Sequence, residues 1–352
     1  MAAPSPALPW PDRRLTARER QIIEDMERRE FIIGGAAAAA LVLAGCADDS
    51  DGARGSDETE PTEGTGQQVD TEPSPTVVDL ADNVFDLAVL GIAPVANIYG
   101  GQFLEPVMSH LDLDPAVRDG ILGSGLATVE ASFELNVEAI AALEPDLILI
   151  TEQFATSFDE SALASVREIA EFTVIPDRGT WQDRSRAIAV AVGLEGMGEE
   201  RISAAEEAIE ALGALVAARG LEGREVSTLR FALDQFLSFI PPSLATEIIT
   251  GAGLTIPQAA AALEKAPPFP DYHAQSFVSL ELLGDFDADL LVLAEAVPDD
   301  GDTVISQPTL SGGRAVSANA IQRVPYFLWA LNSAVGVSQI CEDLTAGLDR
   351  LT

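Results

Sequence analysis

Histidine, cysteine and paired carboxylates are the usual carriers of covalent and metal chemistry, and this chain uses them in no recognisable pattern. Its two histidines, His110 and His273, stand far apart, with no cysteine or carboxylate at metal-ligand spacing. There is no Gly-x-Ser-x-Gly elbow and no phosphate-binding P-loop. Gly123-Ser124-Gly125 and Gly312-Gly313 read as turns. Acidic pairs occur everywhere in so acidic a chain, so none stands out as an acid–base couple. No catalytic residue and no metal ligand is therefore expected. The side chains with a definite use are arginines and aromatics. Arginine offers forked donors to ligand oxygens, while tyrosine, tryptophan and phenylalanine cover an apolar rim.

Those side chains must be placed by strands and helices. Residues 86–93 are a short apolar run broken by Gly91, read as a strand and loop, with a helix after Pro94. Residues 136–150 read as a helix, a proline turn and a buried strand. Residues 161–170 read as a helix and 172–176 as a strand. Beyond position 220 the order recurs: a strand within 224–233, a helix over 243–253, a helix and strand over 279–293, a short strand at 314–317, and mainly helix over 326–351. This alternation predicts an α/β fold with parallel sheets.

In such sheets ligands lie beyond the carboxyl ends of strands. The rule selects Pro94, Asn97 and Tyr99, then Glu152, Gln153 and Phe154, then Arg178 and Trp181. From the second half it selects Gln235, Phe236, Phe239 and Glu295, with Tyr272, Arg314, Tyr326 and Trp329 at the mouth. The ligand-binding set is accordingly Tyr99, Arg178, Trp181, Arg230, Phe236, Tyr272, Arg314 and Trp329. Arg230 lies inside a strand, where its charge needs a partner, either a structural ion pair or a cleft contact. Trp329 suits core and cleft equally. Arg314 suits a surface turn or a ligand contact. Tyr272 and His273 follow a proline-rich loop and suit ordered surface as well as the cleft.

Two features organise the halves. Residues 198–220 place Ile202, Ala205, Ile209, Leu212 and Val216 on one helical face, with Glu199 and Glu200 in the first turn and Arg219 and Gly220 at the end. This stretch predicts a stiff helix joining two lobes. The segments 136–150 and 279–293 match position by position: a polar cap, a glutamate two residues on (Glu138, Glu281), then an aspartate directly before the strand.

Acids outnumber bases 57 to 20, for a net charge of −37. That field repels nucleic acid and anionic membrane surfaces. It fits a solvated surface and also a saline habitat. Two cysteines cannot build a disulfide framework, and Cys341 reads as a small buried hydrophobe.

Residues 1–46 read as an export signal. Arg28-Arg29-Glu30-Phe31 precedes an apolar run too short to span a bilayer. The paired arginines resemble a twin-arginine signal, and Leu43-Ala44-Gly45-Cys46 resembles a bacterial lipobox, which makes Cys46 the lipid-bearing residue. Met26 is the expected translation start. Residues 47–76 are acidic and poor in large apolar side chains, as in a disordered tether.

The layout resembles the siderophore- and cobalamin-type substrate-binding proteins of ABC importers. The resemblance rests on Asn136-x-Glu138-x-Ile140 with Glu144-Pro145-Asp146-Leu147-Ile148, on Ser279-x-Glu281 with Ala288-Asp289-Leu290, on Gly193-Leu194-x-Gly196 and on Gly253-Leu254-x-x-Pro257. It covers position 77 to the end. It implies two Rossmann-like lobes, residues 77–192 and 221–352, joined by a connecting helix within 193–220. It implies an extracytoplasmic, lipid-anchored monomer that captures a small metal chelate and hands it to a membrane permease, with no covalently bound cofactor and no enzymatic activity. Glu138 and Glu281 would meet permease arginines. The scarcity of basic residues favours a near-neutral hydroxamate-type ferric complex over a catecholate. Cobalamin or haem binding, a surface α/β enzyme and a ligand-sensing lipoprotein are the alternatives.

Overall fold

The computed structural model describes residues 75–99, 101–124, 135–232, 234–266, 269–296 and 299–351. The signal, the lipobox with Cys46, and nearly all of the tether lie outside the described residues. No helix among the described residues is long and apolar enough to cross a membrane.

The first lobe is built on four parallel strands in the order β2-β1-β3-β4: β1 (Val77–Asp79), β2 (Ala96–Asn97), β3 (Leu147–Thr151) and β4 (Glu171–Ile175). β3 is buried along its whole length, as a strand covered on both faces must be. Its helices are α1 (Val84–Val89), α2 (Gly101–Met108), α3 (Pro115–Gly123), α4 (Val137–Ala142), α5 (Glu152–Ala155), α6 (Glu160–Val166) and α7 (Trp181–Ala191).

The connecting helix α8 (Glu195–Arg219) has 25 residues, a rod of roughly 37 Å. It begins three residues earlier than its charge pattern suggests and ends at Gly220, whose φ of 63° closes the last turn. Gly198, Ile202, Ala205, Leu212 and Val216 form its buried face.

The second lobe has five strands in the order β7-β6-β5-β8-β9: β5 (Val226–Ala232), β6 (Gln235–Phe239), β7 (Gln275–Val278), β8 (Leu290–Glu295) and β9 (Ile321–Pro325). β5, β8 and β9 are parallel, whereas β6 and β7 pair antiparallel, so this sheet is mixed. Its helices are α9 (Leu244–Gly251), α10 (Gln258–Ala262), α11 (Asp300–Ile305), α12 (Arg314–Ser317), α13 (Tyr326–Trp329) and α14 (Ala334–Leu348).

The sequence repeat has a structural counterpart. Asp146, just before β3, accepts the Thr76 backbone N–H at 2.8 Å; Asp289, just before β8, accepts the Glu225 N–H at 2.9 Å. The backbone N–H groups of Asp146 and Asp289 return bonds to the carbonyls of the same two residues. β1 and β3 are thus clipped at their starts as β5 and β8 are. The second copy differs in one respect: Glu281 stands in a turn before a 3₁₀ helix (Leu283–Phe286), where the first copy has α4.

Two expected strands are helices. Residues 84–88 are buried on every side as α1, and an apolar run with no exposed face carries no period by which to tell helix from strand. The true first strand is the three-residue β1. Residues 314–317 form α12, and the last strand lies further on as β9. The stretch after Pro94 begins with β2, and its helix follows from Gly101.

One apolar core runs from the first sheet through α8 to α14 and the facing side of the second sheet, taking in Val78, Ile150, Ile202, Leu212, Val292 and Leu344. Two glycines of α8 test its packing. A Cβ at Gly198 would lie 2.4 Å from the Cβ of Ala189, whereas one at Gly213 meets nothing closer than the Ala252 Cα at 4.0 Å. Gly198→Val should therefore cost about 1–3 kcal/mol through overpacking. Gly213→Ala should be stabilising by up to about 1 kcal/mol, because helical glycine is entropically costly. Chemical denaturation of the two variants checks both signs.

Candidate functional site

The strand-end rule can now be applied to the strands as they are. Asp82 and Phe85 follow β1, Tyr99 follows β2, and Gln153 and Phe154 follow β3. Facing them from the second lobe are Tyr272 and His273, in a single 3₁₀ turn before β7, with Phe327 and Ala330 after β9 and Leu331 beyond. These ten residues enclose a cavity of about 20 Å³ between the lobes. Rings cross the gap: Tyr99 lies 5.8 Å from Phe85 in its own lobe and 5.8 Å from Phe327 in the other, the latter edge-on.

A buried guanidinium supports the first-lobe wall. Arg184 of α7 is 2% exposed. Its Nη2 donates to Asp82 Oδ1 at 2.7 Å and to Asn83 Oδ1 at 3.2 Å, and its Nη1 donates to Asp177 Oδ1 at 3.1 Å. The other Asp177 oxygen accepts the Gln153 backbone N–H. Arg184 therefore ties the ends of β1, β3 and β4 to one helix. Asp79 accepts from Asn83 and from the Ala81 backbone, and its Oδ2 is buried with no hydrogen-bond partner among the described residues. Burial raises Asp79 to about 7, with the Asp82 charge adding to it. Burial raises Asp86 to about 6 and Asp177 to about 6, Arg184 opposing in both.

The second-lobe wall is backed by a neutral network. His273 Nε2 meets the Tyr326 hydroxyl at 3.0 Å and the Gln275 side-chain amide. Burial, then the Arg230 charge, lowers His273 to about 3, so its imidazole is uncharged at neutral pH. Arg230 is buried, with its Cζ 3.5 Å from the Tyr326 ring centroid and its Nη1 donating to Gln275 Oε1 at 3.4 Å. Its charge is met by an aromatic face instead of the expected carboxylate.

Of the eight expected ligand contacts, Tyr99 and Tyr272 line the cavity. The other six lie elsewhere, each for a local reason. Arg178 is on the exposed loop after β4. Trp181 opens α7 and is buried in the main core. Arg230 lies behind Tyr326. Phe236 packs with Leu229 and Phe286 on the far side of the second sheet. Arg314 is held at the surface by Glu225, Asp287 and Asp289. Trp329 is buried, its indole N–H donating to Asp343 at 2.8 Å. His273 is interior and not surface. Asp82, Phe85 and Phe327 escaped the sequence reading. Asp82 and Phe85 became visible only when the first strand moved from 86–93 to 77–79. Gln153 and Phe154 stand where the rule put them.

Glu138 is exposed in the first turn of α4, and Glu281 is exposed in the matching turn of the second lobe. Cys341 is buried, its thiol pushed up to about 12 by desolvation, and behaves as a packing residue. No cluster of three or more metal-ligating side chains occurs among the described residues.

The sequence profile described as "Periplasmic binding protein" matches residues 110–325. No curated protein matches the chain. Among solved structures, FhuD2 from Staphylococcus aureus with bound ferrioxamine B aligns at a TM-score of 0.58 and 15% identity, over 79% of this chain and 100% of that one. The siderophore periplasmic binding protein from the fuscachelin gene cluster of Thermobifida fusca aligns at 0.61 and 17% identity, over 78% and 97%. Staphylococcus aureus SirA complexed with staphyloferrin B aligns at 0.57 and 17% identity, over 79% and 94%. At these identities the likeness is one of fold.

The raised carboxylates have a consequence for stability. A carboxyl whose pKa is higher folded than unfolded holds its proton more tightly in the native state. Its contribution is complete below about pH 4 and is lost as pH rises through about 6 to 7. The melting temperature should therefore rise on going from pH 8 to pH 6. Asp79→Asn, which can still accept from Ala81 and removes the buried charge, should raise it at pH 8 and change it much less at pH 5. Calorimetric scans of both proteins at the three pH values decide this.

Proposed function

The chain belongs to the periplasmic binding protein family, and from that premise we propose that it is the extracytoplasmic substrate-binding protein of an ABC importer, one that captures a ferric siderophore between its lobes and delivers it to a membrane permease. The observation that carries the reading is the aromatic-lined cavity between two α/β lobes, at the carboxyl ends of β1, β2 and β3. The ferrioxamine B and staphyloferrin B held by proteins of this fold support a siderophore as cargo. The work of the protein is capture and release, without covalent chemistry.

The lining favours a near-neutral ferric complex of hydroxamate type. No arginine or lysine is among the described residues that enclose the cavity, and the guanidinium behind Asp82, that of Arg184, is engaged by Asp82 and Asp177. A highly anionic chelate would meet Asp82 with no forked donor beside it in the described lining. Tyr99 and Tyr272 are the sequence-derived candidates that would touch the ligand. Cys46 carries the lipid anchor, and the twin-arginine signal exports the folded chain.

Glu138 and Glu281 form the docking pair for the permease. They occupy equivalent places in two lobes clipped alike at Asp146 and Asp289, one per lobe, and both are exposed. A first-turn acid also stabilises its own helix, so the two roles coexist at Glu138.

Isothermal titration of the mature domain with a ferric trihydroxamate, a ferric catecholate, cobalamin and haem tests the cargo. Submicromolar binding of the trihydroxamate alone is the expected result; binding of none of the four overturns the reading. Replacing both Glu138 and Glu281 by Lys should abolish uptake by whole cells and leave the titration unchanged. Loss of ligand affinity in that variant would refute the docking role. Cys46→Ala should release the protein from the membrane fraction into the medium or periplasm.

A further inference from the structure

The cavity combines three properties: it is small, ringed by aromatics and biased toward negative charge. Its volume of about 20 Å³ is room for one water-sized group, not for a metal chelate. Phe85, Tyr99, Phe154, Tyr272 and Phe327 supply five rings, whose π-faces attract cations. Asp82 is the one carboxylate of the lining among the described residues. Its Oδ1 is engaged by Arg184, and its Oδ2 has no hydrogen-bond partner among the described residues, while its side chain stays 17% exposed. Behind it stand Asp177, which shares Arg184 with it, and Asp79 and Asp86, which burial raises to about 7 and about 6, so the acids of this wall outnumber the guanidinium of Arg184.

The facing wall does not redress the balance. His273 is neutral, and the Arg230 charge sits behind the Tyr326 ring. The two phenols in the lining respond to the same field. Tyr99 and Tyr272 are raised above the usual phenol range, by burial first and then by Asp82 with Asp79 or Asp177.

We propose that this cavity is a subsite for a cationic alkylammonium arm of the ligand, which enters between the aromatic rings and pairs with Asp82 while the body of the ligand rests at the mouth. The proposal rests on the siderophore reading and narrows it to chelates with a protonated amine. A primary ammonium fits the volume, offers three donors to Asp82 and the tyrosine hydroxyls, and is held by ring faces. An anionic arm would meet Asp82 at short range with no cation in the lining among the described residues.

The test compares a ferric trihydroxamate carrying one free primary amine with the same complex after N-acetylation, both titrated into the mature wild-type protein. The amine form should bind at least about tenfold more tightly, as expected for a desolvated cation–π and charge-assisted contact. The preference should shrink to within about twofold in Asp82→Asn. Equal affinity of the two complexes for the wild type overturns the ammonium subsite and leaves the chelate reading standing, and this comparison needs no variant that could misfold. Should neither complex bind, the chelate reading fails, and propylammonium chloride alone then decides the subsite. Saturable millimolar binding that shifts the tyrosine ring resonances supports it; unshifted resonances overturn it.

Discussion

The site depends on a single buried cation. Arg184 gathers Asp82, Asn83 and Asp177, and through Asp177 it also fixes the Gln153 backbone N–H. Three strand ends of one sheet therefore converge on one side chain of α7. Removing an ion from water costs several kcal/mol, which only good geometry and further hydrogen bonds recover. Here the geometry is good at both Nη atoms, but Arg184 Nε and Asp79 Oδ2 have no hydrogen-bond partner among the described residues. A core of apolar residues in the same volume is often as stable or more stable. What the ionic cluster provides instead is a wall whose side chains are held in place before a ligand arrives, the preorganisation on which selective binding relies.

The two lobes solve the same folding problem with the same device. An aspartate before one strand clips the start of its neighbour, at Asp146 in the first lobe and Asp289 in the second. From there they diverge. The first sheet stays parallel and small. The second adds the antiparallel pair β6 and β7, whose lead-in turn carries Tyr272 and His273 to the cavity. The added pair is thus a source of site residues that the symmetric part of the lobe could not supply. The continuous core through α8 and α14 then holds the lobes in one arrangement.

Much of this architecture was legible because it is written in long or repeated signals. The α8 face recurs over five turns, and its left-handed glycine stop is a local necessity. The paired segments before β3 and β8 carry caps, acids and apolar runs in matching order. Short, fully buried elements were not legible. Residues 84–88 have no exposed face, so periodicity says nothing about their type. That one misreading displaced the first strand by about ten residues and hid Asp82 and Phe85. The arginines were left between two roles for a different reason. A sequence states that Arg230 and Arg314 are charged, but whether a carboxylate or a ring lies within reach is a tertiary fact. The antiparallel turn of β6 and β7 also left no mark distinguishable from an ordinary α/β repeat.

The small cavity and the stiff connection bear on each other. Pockets for ligands of drug size measure roughly 300–1,000 Å³, more than ten times the space enclosed here. A bulky chelate must therefore rest at the mouth or part the rings that bridge the lobes. The contact of Tyr99 with Phe327 is an edge-on ring pair, worth roughly 0.5–1.5 kcal/mol beyond its buried area, and is within reach of ligand binding energy to replace. The apolar core along α8 and α14 is far larger and has no comparable substitute in a ligand. Other contacts across the lobes hold at that same end, such as the Ala334 N–H donating to Ser185 Oγ at 2.7 Å. The ring pair is thus the cheap contact and the helical core the expensive one. Parting the rings with a small tilt about α8 would therefore cost less than a wide swing of one lobe.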